Sequence, residues 1–108
     1  MSKYLLIETS DSFSSNAVQE HVELAIALKR GGADVSLYLA QNGVLPCRSG
    51  ADSETLHEAL AAGVEVLADD YSLRERGIAD ADVARGIRPA SIDRVVERLA
   101  ASRKVMFL

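Results

Sequence analysis

The sequence is poor in most of the residues that mark a specialised class of protein. It has a single cysteine, Cys47, so a scaffold of internal disulfides is excluded. One unpaired thiol fits a reducing compartment, and a cytoplasmic location is the expectation. Tryptophan is absent and aromatic residues make up only 5% of the chain, so a core has to be built from Leu, Val, Ile and Ala. Positive charge is in deficit. Twelve Lys and Arg stand against sixteen Asp and Glu, a formal net charge of −4. Binding to nucleic acid or to an anionic membrane needs a basic face, and none is suggested here. Long hydrophobic runs are missing too: no stretch approaches the ~18 apolar residues of a membrane span. The opening MSKYLLIETS is too short in apolar residues for a signal peptide.

What is present is ordinary globular material. The 108 residues are 48% apolar and 26% charged. That length suits one domain and is too short for two well-cored ones. Low hydrophobicity with high net charge, the mark of disorder, is not found. No internal repeat, low-complexity segment or linker interrupts the chain.

The pattern of elements predicts an α/β fold. Lys3 to Glu8 carries the continuous apolar run Tyr4-Leu5-Leu6-Ile7, which suits a central strand covered on both faces. A hydroxyl-rich loop, Thr9 to Ser15, follows. Asn16 can cap the next helix with Gln19 as its capping-box partner. That helix runs to about Arg30, with Val18, Val22, Ala25 and Ile26 as its buried stripe, widened by Leu24 and Leu28. Lys29 and Arg30 suit its end, and Gly31-Gly32 stop it. Val35 to Ala40 is the second strand, completing a βαβ unit.

Gln41 to Ala51 reads as a long loop broken by Gly43, Pro46 and Gly50. Asp52 or Ser53 then caps a helix bearing Leu56, Ala59 and Leu60, ended by Gly63. Val64 to Ala68 is a third strand. Asp69 to Arg76 is a short helix stopped by Gly77, and Ala79 to Arg85 is polar. A brief fourth strand or turn is expected near Gly86-Ile87, and Pro89 suits the first turn of the last helix. Ile92, Val95, Val96 and Leu99 give that helix its stripe. Lys104 to Leu108 forms a closing strand. The expectation is a single three-layer domain, a mostly parallel sheet of about five strands with helices on both faces.

Open parallel sheets bind ligands at the carboxyl ends of their strands. Three segments therefore hold the candidate site residues: Thr9, Ser10 and Asp11 in the first loop, Asn42, Gly43 and Cys47 in the second, and Asp69 to Tyr71 in the third. Cys47 near helix N-termini could have a lowered pKa and carry a sulfane sulfur, with Arg48 beside it. The plainer reading is an inert thiol under a loop. The first loop could hold an anion on backbone N–H groups, but it lacks glycine, and Asp11 repels anions; capping and turn chemistry explain it as well. Asp69 and Asp70 could act as a general base or a metal ligand, or simply cap a helix. His21 and His57 lie beside glutamates with no third ligand at metal-like spacing, and read as solvated surface residues. No metal and no cofactor is called for.

The order of these elements resembles the DsrE/DsrF-like family, which includes TusBCD-type sulfur-relay subunits and YchN-like proteins. The likeness spans essentially the whole chain. It rests on the opening strand and helix, on Leu37-Tyr38-Leu39-Ala40-Gln41-Asn42-Gly43-Val44, on Gly63-Val64-Glu65-Val66, on Arg76-Gly77-Ile78, and on the amphipathic helix before Lys104-Val105-Met106-Phe107-Leu108. The resemblance implies a parallel sheet with helices on both faces, trimers or hexamers, and cytoplasmic handling of sulfane sulfur with sulfur-relay protein partners. It also implies a sulfur-carrying cysteine after the third strand, about eight residues before the Arg-Gly pair. Asp69 occupies that place. Three functions follow from this. Cys47 could serve as the persulfide carrier of a sulfurtransferase. The chain could be a non-catalytic oligomeric binding or assembly subunit. Or the pocket could take another small ligand, with Asp69 and Asp70 as anchors or, flavodoxin-like, with the first loop. Apolar surface left over on so small a domain favours an oligomer.

Overall fold

The computed structural model describes residues 2–11, 17–51, 53–101 and 103–108. The Asn16 cap, the first-loop residues 12–15 and the Asp52 alternative lie outside the described residues.

Five strands form one all-parallel sheet in the order β4-β3-β2-β1-β5. They are β1 (Lys3–Glu8), β2 (Asp34–Leu39), β3 (Glu65–Asp69), β4 (Arg88–Ala90) and β5 (Lys104–Phe107). The helices are α1 (Ala17–Arg30), α2 (Glu54–Ala61), α3 (Asp70–Glu75) and α4 (Ile92–Ala100). The three-layer architecture expected from the sequence is the one found.

Chain direction explains the layers. From β1 to β4 the chain steps one way across the sheet, so right-handed crossovers put α1, α2 and α3 on one face. The return from β4 to β5 runs the other way and puts α4 on the opposite face. The two cores record this division. Leu6, Leu37, Leu39, Val66 and Ala68 point toward Val18 and Val22 of α1, Leu56 of α2 and Leu73 of α3. Leu5, Ile7, Tyr38 and Leu67 point the other way, toward Val95 of α4. Both faces of the central strands are buried, which is why β1 shows no alternation in sequence.

The predicted helix ends hold at α1 and α2. Gly32 and Gly63 adopt φ of +97° and +93°, a left-handed turn that side chains resist. Ser53 caps α2, its hydroxyl accepting from the Leu56 N–H. Of the predicted α4 stripe, Val95 is buried, while Ile92 and Val96 are exposed.

Two local expectations are corrected. The segment expected as a loop after β2 begins as a 3₁₀ helix, Gln41–Cys47. Pro89 is not in the first turn of a helix but in β4. An edge strand has one side without ladder partners, so the missing proline N–H costs it little. The fourth strand accordingly begins at Arg88, just past the Gly86-Ile87 turn where it was expected.

Candidate functional site

The carboxyl ends of β1, β2 and β3 form one edge, and three side-chain groups are built on it. Between β2 and β3, the Tyr38 phenol donates to Asp69 Oδ1 at 2.5 Å. The Ser72 N–H and hydroxyl both donate to Asp69 Oδ2, at 3.0 and 2.6 Å. The Gln41 N–H in turn donates to the Ser72 hydroxyl oxygen at 2.8 Å. Asp69 thus caps α3 and ties β2 to it. Burial, followed by the Asp69 carboxylate, pushes the Tyr38 phenol above its ordinary range. Three donors converge on this one buried carboxylate. Asp70 takes a different partner, Arg74, at 3.7 Å.

Gln41 starts the 3₁₀ turn with φ of +52°, a conformation uncommon outside glycine. This aims the next residues along the edge. Asn42 Oδ1 accepts from Arg76 Nε and Nη2 at 3.2 and 3.1 Å, so the loop after β2 is clasped to the end of α3. Gly43 is buried against β1, and its N–H lies 3.2 Å from the Thr9 carbonyl oxygen. A Cβ at Gly43 would stand 2.6 Å from the Glu8 carbonyl oxygen. The residue has to be glycine because the backbone of β1 is in the way.

The third group was not legible as a site. Glu8, 1% exposed, closes β1 with its carboxylate beneath α1. One oxygen accepts the Ser10 N–H at 3.0 Å, and the other meets His21 Nδ1. His21 is therefore not a merely solvated surface residue. Its ring is half-buried and held by the acid, which needs a partner to be buried at all. The available signal was an acidic residue ending an apolar strand that is covered on both faces. His57 is exposed, as expected.

The candidate residues are brought together in part. Asn42 and Gly43 bridge from Arg76 to Thr9, and Gln41 joins them to the Asp69 network. Thr9, Ser10 and Tyr71 are exposed along the edge. Among the described residues there is no group of three or more His, Cys, Asp and Glu that could hold a metal ion.

Cys47 lacks the exposure that the carrier alternative needs. Its side chain is 0% exposed and lies within the core between the sheet and α2. Burial pushes its thiol pKa up to about 12, the reverse of the lowering that a carrier thiolate needs. The cause is positional. Cys47 is the last residue of the 3₁₀ segment, not the first of a helix, so no N-terminal dipole supports a thiolate. Its carbonyl accepts the Ala84 N–H at 2.7 Å, pinning the loop shut above it.

Comparison with known proteins agrees on the fold. No family model matches the chain, and no curated protein matches it. Among solved structures, the YchN protein of E. coli superposes with a TM-score of 0.90 at 20% identity over 100% of both chains. MTH1491, a protein of unknown function from Methanobacterium thermoautotrophicum, gives 0.84 at 17% identity, again over 100% of both. BT1422 of Bacteroides thetaiotaomicron, also of unknown function, gives 0.77 at 19% identity over 98% of this chain and 94% of that one. The chain has the DsrE/DsrF-like fold of YchN, as the resemblance implied.

Proposed function

We propose that the protein is a non-catalytic binding or assembly subunit of the DsrE/DsrF-like fold, acting as a homo-oligomer in association with intracellular sulfur relay. One observation carries the reading: the chain's only thiol is enclosed in hydrocarbon and shifted away from the thiolate. A carrier must meet its donor and acceptor, and a thiol with no exposed atom meets neither. The place where the resemblance implies a cysteine holds Asp69, and that carboxylate is spent on Tyr38 and Ser72. Asp69 is a brace for the edge rather than a nucleophile.

The face bearing α4 supports the oligomer. A single helix covers five strands there. Ile92 and Val96, one turn apart, are 61% and 59% exposed. Phe107 pairs with Ile7 in the parallel register and is 81% exposed. Its side chain therefore points to the same side of the sheet as Ile7 and α4. These residues suit a second copy of the same chain.

Two measurements test the proposal. Incubation with a sulfane donor followed by intact-mass analysis is expected to show no added sulfur on the native protein; a stoichiometric adduct on Cys47 would restore the carrier reading. Sedimentation is expected to show an oligomer that Ile92→Asp with Val96→Asp converts to a folded monomer. A wild-type monomer at all concentrations sinks the assembly half of the proposal.

A further inference from the structure

The molecule's arginines are unevenly satisfied. Arg74, Arg76, Arg88, Arg94, Arg98 and Arg103 each have a carboxylate within 4 Å. Among the described residues Arg30, Arg48 and Arg85 have none. Two of these three, Arg48 and Arg85, line one cleft, together with His57. The cleft lies between α2 and the segment that leads into β4, on the face away from α4, and has a volume of about 120 Å³. In a chain of net charge −4, two cations that lack a carboxylate partner among the described residues and meet in one concavity call for an explanation.

The walls are fixed relative to each other. Arg48 and Val83 form an antiparallel bridge. The Ser49 N–H donates to the Asp82 carbonyl and the Ala84 N–H to the Cys47 carbonyl, both at 2.7 Å. Arg48 Nε donates to the Leu45 carbonyl at 2.9 Å, which orients the guanidinium, and among the described residues no acceptor meets its two terminal nitrogens. Asp82, Glu54 and Glu58 lie close in sequence, yet none pairs with either arginine.

Hydroxyls complete the rim. Ser49 and Ser53 line the cleft, and the Ser53 hydroxyl, which accepts from Leu56 N–H, still has its own proton to donate. The floor is apolar, made of Pro46, Leu56, Leu60 and Ile87. A cationic rim over an apolar floor matches a ligand with an anionic head and a short apolar tail.

We propose that this cleft binds a small organic anion, a phosphate monoester or its like, with the head between Arg48 and Arg85 and the tail on the Leu56–Leu60 floor. The site uses neither Cys47 nor the α4 face, so it stands or falls apart from the subunit reading.

Titration of the ¹⁵N-labelled protein with propyl phosphate tests it. Saturable shifts are expected at the amides of residues 48–49, 53–57 and 84–87, with a dissociation constant on the order of millimolar. Inorganic phosphate is expected to bind about tenfold more weakly, because it leaves the floor in water. Arg48→Gln with Arg85→Gln should weaken propyl phosphate by at least about tenfold with the melting temperature unchanged, while Arg30→Gln leaves it as in the wild type. Equal affinity for the two probes would overturn the organic ligand. Absence of saturation, or an equal loss in Arg30→Gln, would overturn the site.

Discussion

The Tyr38 phenol and the Asp69 carboxylate meet at 2.5 Å beneath the carboxyl edge, joining the neighbouring strands β2 and β3 on the α4 face of the sheet. The same carboxylate caps α3 through Ser72, so one side chain holds a strand, a helix and, through Ser72, the turn at Gln41.

Tyr38→Phe should therefore destabilise the protein by about 1–3 kcal/mol, the usual consequence of leaving a buried acceptor short of a donor. Asp69→Ala should cost more, since it removes the cap as well and leaves two buried hydroxyls without their acceptor. Urea unfolding monitored by circular dichroism reads both. A Tyr38→Phe variant as stable as the wild type would show that the bond is incidental.

Cys47 should be inert until the fold opens. Iodoacetamide is expected to label it at least about 100-fold more slowly in native buffer than in denaturing urea. Comparable rates would mean that the thiol is reachable in the native state.

Alkaline pH should weaken the fold. The Cys47 thiol is raised from its ordinary 9.0 to about 12, and Tyr38 is raised as well. A raised folded-state pKa contributes stability that is complete below the unfolded value and is lost as pH climbs toward the folded one. The urea midpoint should hold steady up to about pH 9 and fall above it. Cys47→Ala should flatten the first part of that fall. An identical pH profile in the variant would reject the thiol as its source.

At acid pH Glu65 contributes. Burial raises the Glu65 carboxyl, but the Ser36 hydroxyl and the guanidinium groups of Arg98 and Arg88 outweigh it, leaving the pKa below 4.5. Arg98 Nη2 lies 2.6 Å from Glu65 Oε1, so this network also fastens α4 to the sheet. A depressed carboxyl contributes stability above its unfolded pKa and loses it as pH falls through the folded one. Stability should drop below about pH 4.5, and Glu65→Gln should be less stable at neutral pH and show a shallower acid transition. An unchanged acid limb would discount the network.

Gly43→Ala should be destabilising by about 1–3 kcal/mol, because the new methyl group meets the backbone of β1 rather than a side chain that can swing away. A variant with wild-type stability would mean that the turn after β2 can move.

Much of this molecule was legible from pattern. The apolar run of Tyr4 to Ile7, the stripe of Val18, Val22, Ala25 and Ile26, and the glycines after α1, α2 and α3 predict a doubly covered parallel sheet, because residue periodicity and backbone stops are local properties. Asp69 as a cap was legible for the same reason. Local chemistry failed where long-range contact decides. His21 beside two glutamates looks like a solvated residue until β1 carries Glu8 beneath it. Pro89 reads as a helix start until β4 is seen to be an edge.

The sequence by itself determined the fold class, the single domain and the presence of one thiol, since each depends on composition and on neighbours a few residues apart. Only the tertiary structure decided what that thiol can do. Whether Cys47 faces solvent depends on where the segment around Ala84 crosses it, thirty-seven residues further along the chain, and that crossing is set by the return of the chain from α3 toward β4. The same crossing gathers Arg48 and Arg85 on one cleft, an arrangement no local pattern encodes.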